Sequence, residues 1–315
     1  MQRKAVIFGI KGVKLTTEER DLIKNEKPWG VILFSRNIKD LNQLRHLITE
    51  IKYNINDKNF PILIDQEGGS VSRLNTIIDF SIFSQKFFGK LYSRDKNIFY
   101  QYYKIYIEKV CDILNRVGIN INTVPVLDVR RKISHRIMVD RCFSENSDLV
   151  TKLGNLCINL FENKKIATVI KHIPGHGVSK IDSHHKTPVV EINRKELIKK
   201  DFKPFKKCNS LFAMTAHIIY LIYDPIYTAT HSKIVINEVI RKLIGFKGIL
   251  ISDDISMKAL NYGLINNATR ALDAGCNLIL HCNGNIKEMK KLIKVVPIID
   301  KFTQRKTSHF YKFLG

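Results

Sequence analysis

The sequence predicts an α/β fold, a single-domain (β/α)8 barrel of the TIM type. Three observations carry the prediction. Short aliphatic and β-branched runs recur along the chain, stretches of helical periodicity separate them, and 315 residues hold eight such units. Strands that read as continuous apolar runs belong to a parallel sheet covered on both faces. A doubly wound sheet would want Gly-x-Gly-x-x-Gly after an early strand, and the chain has none. No linker or low-complexity run divides the chain, so residues 1–315 are read as one domain.

The elements follow in order. Strands are expected at 5–10, 30–34, 61–64, 119–127, 167–170, 211–215, 248–251 and 277–280, each a run such as Ala5-Val-Ile-Phe-Gly-Ile10. A helix over 41–53 carries Leu44, Leu47, Ile48 and Ile51 on one face. Another over 149–161 carries Leu153, Leu156, Cys157 and Leu160, and 233–243 and 265–274 read the same way.

Lys and Arg number 52 against 29 Asp and Glu, a net charge of +23. Alone, that excess suggests a nucleic-acid or anionic-membrane partner. Its placement argues otherwise. Doublets such as Lys164-Lys165, Lys199-Lys200, Lys206-Lys207 and Lys290-Lys291 lie on helix-like segments beside apolar residues, as solvated faces do. The chain is also rich in Ile and Asn, so compositional drift accounts for the excess. There is no aromatic-rich basic strand or helix-turn-helix signal, and no nucleic-acid partner is expected. Six cysteines show no Cys-x-x-Cys pair and no zinc-type spacing, which reads as reduced thiols in a cytoplasmic protein. The N-terminus is broken too early by Lys11 for a signal peptide, and no apolar stretch approaches the ~20 residues of a membrane span.

Chemistry in a barrel collects where the strands run out. Those ends hold Asp65-Gln-Glu-Gly-Gly with Arg73 eight residues on, Asp128, Lys171-His172, His217, Ser252-Asp253-Asp254 and His281. One Asp after a strand is often a helix cap. Two together leave Asp253 or Asp254 to face the cavity. The segment His172-Ile-Pro-Gly-His-Gly, running on to Asp182-Ser-His184-His185, is too rich in Gly and Pro for a helix and forms a loop over the site. Asp182 can orient and charge-stabilise the His184 imidazole. The four histidines of this loop match no metal-ligand spacing, so no metal and no cofactor are expected.

Lys171-His-Ile-Pro-Gly-His-Gly-x4-Asp182-Ser-His184 resembles the signature loop of bacterial β-N-acetylglucosaminidases of glycoside hydrolase family 3, the peptidoglycan-recycling type. Trp29-Gly-Val-Ile-Leu-Phe-Ser-Arg-Asn37, Asp65-Gln-Glu-Gly-Gly, Val124-Pro-Val-Leu-Asp128, Gly248-Ile-Leu-Ile-Ser-Asp253-Asp-Ile-Ser-Met257 and Ala271-Leu-Asp-Ala-Gly-Cys276 stand in family order. The resemblance implies that Asp253 is the nucleophile, His184 the general acid/base and Asp182 its partner. It implies that Asp65, Arg73, Arg141, Lys171 and His172 hold the sugar ring. The chain departs from the family pattern at Val178, usually Asp, and at Val139 and Cys142 around Arg141, usually Gly and Ser.

The implied reaction is retaining hydrolysis of terminal β-linked N-acetylglucosamine from N-acetylglucosaminyl-1,6-anhydro-N-acetylmuramic acid and its peptides. The expected partner is that small carbohydrate, met by a cytoplasmic monomer without membrane or nucleic acid. A β-glucosidase or phosphorylase of the same family is the nearest rival. A degenerate scaffold conflicts with the intact catalytic set.

Overall fold

The computed structural model describes residues 2–132, 134–179, 183 and 186–315. Among the described residues, eight parallel strands close into a barrel. They are β1 (Lys4–Gly9), β2 (Pro28–Leu33), β3 (Ile62–Ile64), β4 (Ile121–Asn122), β5 (Ala167–Ile173), β6 (Phe212–Thr215), β7 (Ile249–Asp254) and β8 (Leu278–His281). Each pairs with its neighbour in the chain, and β8 closes the ring on β1 with Val6 opposite Ile279 and Ile7 opposite Leu280.

Every residue of β2 and β5 is buried, because one side faces the barrel interior and the other faces helices. The helix Leu41–Ile55 turns Leu44, Leu47, Ile48 and Ile51 onto the sheet, as its periodicity requires. Ser147–Glu162 does the same with Leu153 and Cys157, and Leu264–Ala274 fills its expected place. The expected helix at 233–243 is a π-helix, Val235–Ile244.

Other helices escaped the periodicity search. Thr17–Glu26 starts on a capping box in which Thr16 and Glu19 satisfy each other's backbone N–H groups. Lys301–Leu314 runs beneath the barrel, where the buried Trp29 Nε1 donates to Thr307 Oγ1 at 2.9 Å. No described helix is long and apolar enough to cross a membrane.

Two strand boundaries matter for the site. The fourth strand, expected over 119–127, is only Ile121–Asn122. Pro125 has no N–H for the ladder, and the chain rejoins its neighbour at a single bridge between Val126 and Lys171. Conversely, β5 and β7 run longer than expected. Lys171, His172 and Asp253 therefore lie on strands, where the sheet fixes their backbone.

Candidate active site

A cavity of about 220 Å³ opens at the C-terminal ends of the strands. Asp65, Arg73, Arg141, Lys171, His172 and Asp253 all line it. The structure thus brings these six together in one cavity. Asp182 and His184, and with them His185, lie outside the described residues.

The centre is a chain of alternating charge. Lys171 Nζ sits against Asp65 and, at 2.7 Å, Glu67, and donates to Thr123 Oγ1 at 3.0 Å. Arg73 donates to the other Asp65 oxygen at 2.9 Å, and Arg141 grips Glu67 with two hydrogen bonds of 2.8 and 2.9 Å. Burial pushes both carboxyls up. Lys171, Arg73 and Arg141 pull Asp65 down further, and Arg141 and Lys171 do the same for Glu67, so both are held below the ordinary carboxylate range. Gln66 closes the loop that makes this possible, its Oε1 accepting from the N–H groups of Arg73 and Leu74 at 2.7 and 3.1 Å. Glu67 is buried between two cations that line the cavity, yet its residue type gave no sign of that. Its place two residues after Asp65 was the available signal, since alternate residues at a strand end point the same way.

A second carboxylate, Asp128, organises the far side. His172 Nδ1 lies 2.7 Å from Asp128 Oδ2, and Asp128 also accepts from the backbone N–H groups of His172 and His176. The His172 Nδ1–H donates to Asp128, which turns Nε2 towards Arg141 Nη2 at 3.3 Å. Burial raises the Asp128 carboxyl, but His172 and His176 bring it below its usual range. Asp128→Asn should reverse this polarity, setting an amide N–H against His172. Under the activity that the family resemblance implies, we expect KM for an N-acetylglucosaminide to rise about 10- to 100-fold, the cost of one lost charged hydrogen bond, in initial-rate kinetics. An unchanged KM would show that His172 does not depend on Asp128.

At the end of β7 the two aspartates divide their work. Asp254 accepts from Ser256 Oγ at 2.8 Å and from the Cys282 N–H at 3.3 Å, a local turn. Asp253 Oδ1 accepts the Asp254 N–H at 2.8 Å, and both aspartates line the cavity. His217 supports this strand end from beside it, its Nε2 donating to the Asp254 carbonyl at 3.0 Å while Nδ1 meets Thr230 Oγ1 at 2.7 Å. Burial pushes the His217 imidazole pKa down, consistent with a neutral ring. His281 points elsewhere, its Nε2 lying 2.9 Å from Glu288 on the next helix. It does not join the site. Val178 and Cys142, where the family pattern differs, are buried among apolar neighbours. No group of three His, Cys, Asp or Glu among the described residues could hold a metal ion.

A carboxylate facing a cavity beside fixed donors and acceptors suits attack on a polyhydroxylated ring. Known proteins fit that chemistry. The glycosyl hydrolase family 3 N-terminal domain matches residues 2–306. A β-hexosaminidase of Aromatoleum aromaticum is 31% identical over 88% of this chain and 79% of its own length. One from Haemophilus influenzae is 31% identical over 89% of this chain and 79% of its own length. Among solved structures, NagZ from Neisseria gonorrhoeae in complex with N-trifluoroacetyl-D-glucosamine superposes with a TM-score of 0.87 at 26% identity, covering 98% of this chain and 90% of that one. A family 3 β-N-acetylglucosaminidase from Paenibacillus sp. str. FPU-7 gives 0.85 at 27% identity over 98% of this chain, which spans 60% of that protein's length.

Proposed function

The chain belongs to glycosyl hydrolase family 3, and from that premise we propose that it removes terminal, non-reducing β-linked N-acetylglucosamine with retention of configuration. It is a glycoside hydrolase of the β-N-acetylhexosaminidase type. The observation that carries the reading is the placement of Asp253 in one cavity with Asp65, Arg73, Arg141, Lys171 and His172.

In this reading the sugar ring docks against the charge chain, with Asp65 accepting from its hydroxyls, the cations donating and His172 set beside Arg141. The Asp253 carboxylate attacks the anomeric carbon and forms a glycosyl-enzyme. His184, oriented by Asp182, protonates the departing oxygen and then takes a proton from the water that releases the sugar. An imidazole replaces the usual second carboxyl. The catalytic unit is the single barrel, residues 1–315, working in the cytoplasm without a metal or organic cofactor. The natural substrate is N-acetylglucosaminyl-1,6-anhydro-N-acetylmuramic acid, with or without peptide, and the chain's positive charge favours such an anionic ligand.

The deciding experiment compares p-nitrophenyl β-N-acetylglucosaminide with the plain β-glucoside, with and without phosphate, and follows the product anomer by NMR. We expect release of β-N-acetylglucosamine from the acetamido substrate only. Turnover should be indifferent to phosphate and to a chelator. Faster turnover of the glucoside, a sugar phosphate product, or loss of activity with the chelator would overturn the reading.

A further inference from the structure

We propose that Arg36 is a positioning residue for sugar binding: from the rim of the cavity it fixes the Phe34 ring, and that ring in turn steadies the guanidinium of Arg73. The proposal rests on the reading of the cavity as the place where N-acetylglucosamine docks, with Arg73 among the residues that hold it.

Phe34 follows β2 directly and lines the cavity beside Arg73. The Arg73 guanidinium lies 5.5 Å from the centre of its ring, and the Arg36 guanidinium lies 4.7 Å from the same centre. Both are cation–π distances. Among the described residues, Arg73 has few other holds on its side chain. Its Nη2 donates to Asp65 at 2.9 Å, while its Nε is buried without a hydrogen-bond partner. A planar fork held at one nitrogen can still turn, and the Phe34 ring is the surface that limits the turn.

Arg36 makes that ring a fixed surface. Its Nε donates to the Ile10 carbonyl at 2.9 Å, and its Nη2 donates to the Cys282 carbonyl. Ile10 follows β1 and Cys282 follows β8, so one guanidinium ties together three successive strand ends of the closed barrel. The two carbonyls are firm anchors. A Cβ on Gly9 would stand 2.2 Å from the Cys282 oxygen, and one on Gly284 would stand 2.6 Å from the Ile10 carbonyl carbon. The loops after β1 and β8 therefore meet backbone to backbone.

The turn itself does not need Arg36. Asn37 Oδ1 accepts the Phe34 N–H at 2.9 Å, and Asn37 Nδ2 donates to the Ile10 and Gly12 carbonyls at 3.1 and 2.9 Å. Asn37 thus sets the backbone of Phe34, and what Arg36 adds is the contact with the ring. Arg36 is an exposed residue, yet two of its nitrogens go to carbonyls of other loops. Its charge cannot be what helps Arg73, because the two guanidiniums repel each other. Its service is geometric.

The test compares Arg36→Met, Arg36→Lys, Phe34→Leu and Phe34→Tyr by initial rates on p-nitrophenyl β-N-acetylglucosaminide and by calorimetric titration with free N-acetylglucosamine. We expect Arg36→Met and Phe34→Leu each to raise KM and the Kd of the free sugar about 3- to 10-fold, the worth of one cation–π contact. The kcat should barely change, since binding and not the chemical step is affected. Lys keeps the charge but cannot bridge both carbonyls, so Arg36→Lys should recover only part of the loss. Phe34→Tyr keeps the ring and should bind the sugar more tightly than Phe34→Leu. On an Arg73→Met background, Arg36→Met should add little, because the group it acts upon is gone. An Arg36→Lys variant equal to wild type, a loss confined to kcat, or an Arg36 effect undiminished on the Arg73→Met background would overturn the proposal alone. Wild-type protein that neither binds N-acetylglucosamine nor hydrolyses its glycoside would overturn the reading beneath it.

Discussion

Asp253→Asn should lower hydrolysis of p-nitrophenyl β-N-acetylglucosaminide by at least about 1,000-fold, since an amide cannot form the acyl-linked sugar. The folded site should survive. Asn retains the carbonyl oxygen that accepts the Asp254 N–H, and His217 still holds the Asp254 carbonyl from the side. Loss should therefore fall on kcat rather than on thermal stability. Wild-type protein treated with a 5-fluoro derivative of the activated sugar should carry one glycosyl group on the peptide containing Asp253, and the Asn variant none. Asp254 is the internal control. Its carboxylate is committed to Ser256 and the Cys282 N–H, and Asn keeps an acceptor for both, so Asp254→Asn should cost about tenfold or less. Near-wild-type release by the Asp253 variant, or an adduct on another residue, would remove Asp253 from its role.

The sequence made the barrel legible because parallel strands buried on both faces leave unbroken aliphatic runs. It failed where burial and pairing part company. The apolar run 119–127 reads as one strand, but Pro125 cuts the ladder after two residues. The helix Lys96–Val117 buries Phe99, Tyr103 and Tyr106 beside aliphatic residues, an aromatic face that a search for Leu and Ile stripes passes over. At the site, residues that face the cavity were legible from their place at strand ends and from the family resemblance. The partners of the residues behind them were not. Glu67, Asp128 and His176 stand in the motifs read at the strand ends and contact Arg141, His172 and Ser183, but no spacing rule announces which partner a buried polar group will meet. Their roles appear only when three different strand ends are brought together.

Glu67 gives the sharpest case, because its removal should strike stability first. Around it lie Arg141 and Lys171 in direct contact, with Asp65 and Arg73 beyond. Glu67→Gln preserves shape but leaves three cations facing Asp65 alone. Breaking a buried ion pair from one side costs about 3–5 kcal/mol, which for a chain of this size is a fall in Tm of roughly 5–8 °C. The sugar should also bind worse, since Arg141 and Lys171 lose the anchor that aims them, and KM should rise about tenfold. The pH dependence follows from the carboxyl's direction of shift. Burial opposes ionisation, but Arg141 and Lys171 hold the folded-state pKa below the ordinary Glu value of 4.5. Its stabilisation is therefore fully present above about pH 5 and drains away as pH falls through the folded pKa. Calorimetry of wild type and variant should show a Tm gap that is widest near neutrality and narrows towards pH 3. Adding Lys171→Met to the Gln variant should recover stability while abolishing turnover, because one unpaired cation has gone with its carboxylate. A gap that stays constant across this range, or a double variant less stable than the single one, would mean that the charges here do not compensate one another.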